Sequence, residues 1–280
     1  MRRALRRRRP GERGFVLVAV LWLGVALAIA ASGFLADSRR ESYRVRAEVG
    51  RAAAVEIART GLNIALAELG RPAAAARVPR DGSMVSVAVP GGMARIGIRD
   101  EKGKVDLNKA LAPFLAGTLE QLGGRGLDAL DHALLADQLL KAARDAREAG
   151  TAPSLAELLA TAGLSDVAAA RASQVLTLHS YTARVNASHA PREVLASIPV
   201  LNPEEVAAIL EARTLGEPLP IPSRAQGWFV PNEGPVYSIH ATGRTDQGIT
   251  ATMTAMVLSE GRTIRTGLGR FRVLEARILP

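Results

Sequence analysis

At 280 residues and 48% hydrophobic composition, the chain has enough material for one or two packed domains, which excludes a disordered tail. Its formal charge of +9 is concentrated in residues 1–14, which hold seven arginines and one acid, Glu12; the rest carries +3 and offers no general nucleic-acid surface. Cysteine is absent, which excludes a disulfide framework and thiolate metal sites.

The first element is a run of 21 uncharged residues from Phe15 to Leu35, within the uncharged stretch between Arg13 and Asp37. As a helix it is about 31 Å long, the thickness of a bilayer's hydrocarbon core. A secretory signal would have a shorter apolar region, although Ala28-Ile29-Ala30 has the small residues of a signal-peptidase site. The arginines on its N-terminal flank place residues 1–14 in the cytoplasm and the bulk of the chain outside. No proline interrupts residues 36–70, where Val45, Val49, Ala52, Ala53, Ile57, Ile64 and Leu66 recur at helical steps above an Arg/Glu-rich face. Residues 15–70 therefore read as one helix, apolar then amphipathic, stopped by Gly70 and Pro72.

These features resemble the type IV prepilin class: a basic leader ending in Gly14, then Phe15, an apolar run and an amphipathic continuation. The resemblance implies that a prepilin peptidase cuts between Gly14 and Phe15 and methylates Phe15 as the new N-terminus. Most pilins carry a glutamate at the fifth mature position, where this chain has Ala19. The K class of minor pseudopilins also lacks that acid.

After a loop at 71–82, MVSVAV (84–89) and MARIGIRD (93–100) alternate as a hairpin around Pro90-Gly91-Gly92. DEKGKVDLNKA (100–110) reads as a turn and a short strand. Six helical segments follow: LAPFLAGTLEQLG, LDALDHALLADQLLKAARDAREAG, SLAELLATAG, SDVAAARASQVL, PREVLASI and PEEVAAILEAR. Ser154 and Asn202 are N-cap residues, and Pro203 suits a first helical position. A proline-rich loop leads to three more strands, PVYSIHATGRT, ITATMTAMVLSE and GRFRVLEARIL, with turns expected at 246–248 and 260–262.

The order of GKVDLN (103–108), a helical insertion, VNASHAPREVL (185–195) and closing strands extends the resemblance along the chain, to the K minor pseudopilins of type II secretion. It implies an α+β, pilin-like fold: a leader (1–14), the N-terminal transmembrane and amphipathic helix (15–70), an antiparallel β domain in two parts (71–108 and 219–280) and an inserted all-helical domain (109–218). It also implies a non-enzymatic subunit at the tip of a periplasmic pseudopilus that promotes export of folded proteins. Its partners would be the I, J and H pseudopilins, the prepilin peptidase and the inner membrane, with no nucleic acid. A minor subunit of a related type IV pilus or competence system, or a membrane-tethered periplasmic binding protein, remains the alternative.

The remaining signals point to structure. Asn108 and Asn186 suit Asx turns or caps that bond their own backbone. His132, His179, His189 and His240 lack metal-ligand spacing. Asp128, Asp131 and Asp137 lie on a helical pattern rather than in a calcium loop, so the calcium bound by some relatives is not supported here and no cofactor is expected. IPVLNPEEVAAIL (198–210) has a helix-hairpin-helix outline, but its turn lacks glycine and Glu204, Glu205 and Glu211 would repel phosphate. No Walker, Rossmann or nucleophile-elbow pattern occurs.

Overall fold

The computed structural model describes residues 12–72, 75–123, 131–262 and 269–279, with the side-chain surroundings of residues 12–17, 19, 30–31, 33–39, 262 and 269 left undescribed. The chain divides into two units, Met1–Ala52 and Ala53–Pro280. Helix α1 (Glu12–Leu69) passes from the first into the second.

In the first unit the residues of α1 whose burial is described are exposed, apart from Gly50. Val45 and Val49, which the periodicity assigns to a packed face, are exposed. In the second unit the buried stripe is Ala54, Ile57, Ala58, Leu62, Ala65 and Leu69; of the residues the periodicity assigns to the packed face, Ile57 is buried, Ile64 and Leu66 are partly buried against the same core, and Ala52 and Ala53 are exposed. Small residues allow close approach to the sheet between the larger buried ones. A Cβ at Gly61 would sit 3.1 Å from that of Ala94, and one at Gly243 would strike the backbone of Ala54 and Ala58.

The sheet has order β1-β2-β5-β6-β7, every neighbour antiparallel. Its strands are β1 (Asp81–Val89), β2 (Gly92–Asp100), β5 (Val236–Thr245), β6 (Thr250–Arg262) and β7 (Gly269–Leu279). Period-two alternation sends Ala94, Ile96, Ile98, Tyr237, Ile239, Ala241, Met253, Ala255 and Val257 into one core with the helix. The turn expected at 260–262 is instead part of β6, because Arg262 still pairs with Gly269.

Between β2 and β5 the chain leaves the sheet and returns to the same end, where Asp100 pairs with Tyr237. The excursion holds β3 (Val105–Asp106), α2 (Ala112–Leu122), α3 (His132–Glu148), α4 (Leu155–Thr161), α5 (Asp166–Ala172), β4 (Leu176–Thr177), α6 (Arg192–Ala196) and α7 (Pro203–Leu215). Local signals start these helices. Asp131 accepts from two N–H groups of α3, while Ser154 with Glu157 and Asn202 with Glu205 form capping boxes on α4 and α7. Gly216, left-handed at φ +71°, ends α7. Phe114, Leu115, Leu119, Leu139, Leu159, Leu195 and Ile198 form a second core, separate from the one under the sheet. Leu176 reads as helical from sequence, but α5 stops at Ala172 and β3 and β4 pair in parallel. The backbone bond from Val105 to Val175 and the full burial of Leu176 outweigh local helical propensity.

Candidate assembly surface and insertion junction

Leu21, Trp22, Leu23, Val25 and Leu27 are all exposed on α1. Because successive helical residues are about 100° apart, these five surround the helix rather than mark one stripe. An apolar surface on every side of a helix calls for lipid or for neighbouring helices. Among the described residues, no helix is long and apolar enough to cross a membrane. Gly14, Phe15 and Ala19 have helical backbone, and their side chains fall outside the described residues.

The second region is the junction between sheet and insertion, where the two sequence motifs meet. The Asn186 N–H donates to the Lys102 carbonyl at 2.8 Å, and a Cβ on Gly103 would lie 2.5 Å from the His189 carbonyl oxygen. Only glycine permits that approach. Asn186 is buried and its Oδ1 accepts from the Ser188 N–H, an Asx turn. Asn108 acts differently from the local role expected of it: its Nδ2 donates to the Leu178 carbonyl, 70 residues away. The Asx turn there belongs to Asp106, whose Oδ1 accepts from the Asn108 N–H. The other oxygen of Asp106 accepts from the Tyr181 N–H at 2.7 Å and the Ser180 hydroxyl at 3.1 Å. Asp106 therefore ties the first motif to the 178–181 turn, and no periodicity marks it.

Charged groups are buried around these contacts. Glu101 accepts from the Thr177 hydroxyl and pairs with Lys104. Burial raises its pKa, but Lys104 and the hydrogen bond from Thr177 help to outweigh that and hold it below the ordinary glutamate value. Asp100 accepts from the Gly234 and Lys102 N–H groups, yet burial dominates and pushes its pKa up. Glu233 receives Arg80, the Tyr237 hydroxyl and His189, whose Nε2 is 3.5 Å away. The bond from His189 leads in holding Glu233 below its ordinary value, against burial and with help from Arg80. In sequence, DEKGK reads as a turn. Its two acids, Asp100 and Glu101, are buried at the junction.

The histidines do not converge. His132 starts α3, His179 lies edge-on to Tyr181, His189 faces Glu233, and His240 is on β5. Among the described residues no group of three or more His, Cys, Asp or Glu is placed to hold a metal ion. Asp131 caps α3, and Asp128 lies outside the described residues. At the α6–α7 turn the Arg224 guanidinium grips Glu205 through two 2.6 Å contacts and donates to the Val200 carbonyl. That turn is a packing element with its cation already engaged.

No family model and no curated protein matches the chain. Among solved structures, the chain is similar to a chain in the crystal structure of the GspK-GspI-GspJ complex from the enterotoxigenic Escherichia coli type 2 secretion system. The TM-score is 0.49 and the identity 14%, over 87% of this chain and 99% of that chain.

Proposed function

We propose that the chain is a K-class minor pseudopilin of type II secretion. In this reading residues 1–14 are a cytoplasmic leader, cut between Gly14 and Phe15, and Phe15 is then N-methylated. Residues 15–35 hold the protein in the bacterial inner membrane with the rest in the periplasm, and later pack against the helices of the I, J and H pseudopilins. The observation that carries the reading is the apolar surface surrounding α1 at residues 21–27, which has no cover within this chain's own described residues. Lipid and a helical filament core are the two environments that satisfy it in turn.

Tip position follows from two features. A glutamate at the fifth mature position would accept the N-terminal amine of the subunit above, a pairing favoured in apolar surroundings, and Ala19 offers no such acceptor. The second feature is the large insertion between adjacent strands β2 and β5, bulk that an interior subunit would have to accommodate.

N-terminal sequencing of the mature protein is the direct test. Methylated Phe15 is the expected result, and a start near Ser32 would mean signal-peptidase cleavage and end the prepilin reading. Subunit copy number tests the tip assignment. Ala19→Glu combined with a short turn joining β2 directly to β5 is expected to distribute along the filament. If that variant remains confined to one end, neither feature determines the position.

A further inference from the structure

Beside the junction, the C-terminal end of α3, residues 151–153, α4 and the 178–181 turn enclose a cleft of about 490 Å³. That volume falls in the range of small-ligand sites. Ala143, Ala146, Pro153, Leu158 and Leu178 make its walls apolar. Its charged lining is of one sign: Lys109 and Arg147 line it, and no aspartate or glutamate does. Neither cation has an ion-pair partner among the described residues. The nearby Asp106 carboxylate is already engaged by three donors.

A second observation concerns the wall itself. Tyr181 is the one non-glycine with positive φ among the described residues, at +59°, and its side chain is exposed where it lines the cleft. A tyrosine in the left-handed region is strained, and burial of its ring does not offset the strain here. The Tyr181 N–H is fastened to buried Asp106, and the ring lies edge-on to His179 with centroids 6.4 Å apart. The fold thus holds an exposed aromatic ring at an apolar cleft with two uncommitted cations.

We propose that this cleft binds a carboxylate carried on an apolar body, the carboxylate between Lys109 and Arg147 and the apolar part against Ala143, Leu158 and Leu178. The chemistry is shared by a peptide C-terminus with an apolar last residue and by a free aliphatic acid. The site stands apart from the assembly reading and does not depend on it.

Calorimetric titration of the full chain in detergent with acetyl-Ala-Leu bearing a free carboxylate, its C-terminal amide, and 4-methylpentanoate tests the proposal. The acids should bind, and the amide should bind at least about tenfold more weakly, since charge-assisted bonds are lost. Tighter binding of the dipeptide assigns a peptide C-terminus as the source; tighter binding of 4-methylpentanoate assigns a free acid. Lys109→Gln with Arg147→Gln, both surface positions, should reduce acid binding to the level of the amide without changing the melting temperature. Tyr181→Gly should raise the melting temperature and weaken binding, which separates loss of the site from loss of the fold. Equal affinity of acid and amide, unchanged binding by the double variant, or absence of binding by all three probes would overturn the proposal.

Discussion

Lys104 Nζ lies 2.8 Å from Glu101 Oε1, with the two side chains only 7% and 1% exposed, and this ion pair sits where the insertion joins the sheet. Removing one partner leaves an uncompensated charge in a site already closed to water. Lys104→Met is expected to destabilise the protein by about 3–5 kcal/mol, whereas Glu101→Leu with Lys104→Met should recover most of the loss. Denaturant unfolding of the three proteins measures this. A double variant as unstable as the single one would mean that the carboxylate's bond from Thr177, rather than the pair, dominates.

His240 makes stability depend on pH. Burial, followed by the positive charges of Lys104 and Arg99, depresses its pKa against the opposing pull of Glu101. The unfolded chain therefore takes up a proton near pH ~6.5 that the folded chain refuses until lower pH, and stability falls as pH drops through that window. His240→Gln should show a smaller loss of unfolding midpoint between pH ~7.5 and ~5.5 than the parent. Identical slopes would assign the titration to another group.

The contact of α1 with β5 runs through Gly243, where an added methyl meets the helix backbone at Ala54 and Ala58. Gly243→Ala is expected to cost about 1–3 kcal/mol by forcing helix and strand apart. Gly227→Ala is the control, since an added Cβ there meets nothing within 4 Å and its φ is ordinary. Thermal melts should separate the two; equal melting temperatures would show that the helix yields at no cost.

Tyr181 and Asp106 should respond in opposite directions. Replacing a left-handed tyrosine with glycine removes about 1 kcal/mol of strain, so Tyr181→Gly should be more stable than the parent. Asp106→Ala strips the acceptor from three donors and should destabilise by about 2 kcal/mol or more. A Tyr181→Gly variant less stable than the parent would mean that the ring packs favourably despite its exposure.

The extent to which the fold is legible in the sequence varies with the range of the interaction involved. The insertion's helices carry their own start signals, such as Ser154 with Glu157 and Asn202 with Glu205, and those contacts span only three residues. The same is true of the alternating strands, whose faces follow from the side-chain period. At the junction the decisive contacts span far more chain: Asn108 to Leu178, Asp106 to Tyr181, and Asp100 to Gly234. A charged run such as DEKGK reads as a turn, and its burial follows only when Thr177 and Gly234, more than 70 residues away, are brought beside it.

By itself, then, the sequence determined the α+β composition, the helical insertion between two sets of strands and the apolar run beginning at Phe15, because period, caps and turn residues act within a few positions. Only the tertiary structure decided where α1 approaches the sheet closely, since at Gly61 and Gly243 an added Cβ would meet the opposing element. It also decided that Glu101 and Lys104 are buried together, that Leu176 is a strand, and that Lys109, Arg147 and Tyr181 share a cleft. These outcomes depend on which distant segments become neighbours, and solvent exclusion then changes what each residue can do.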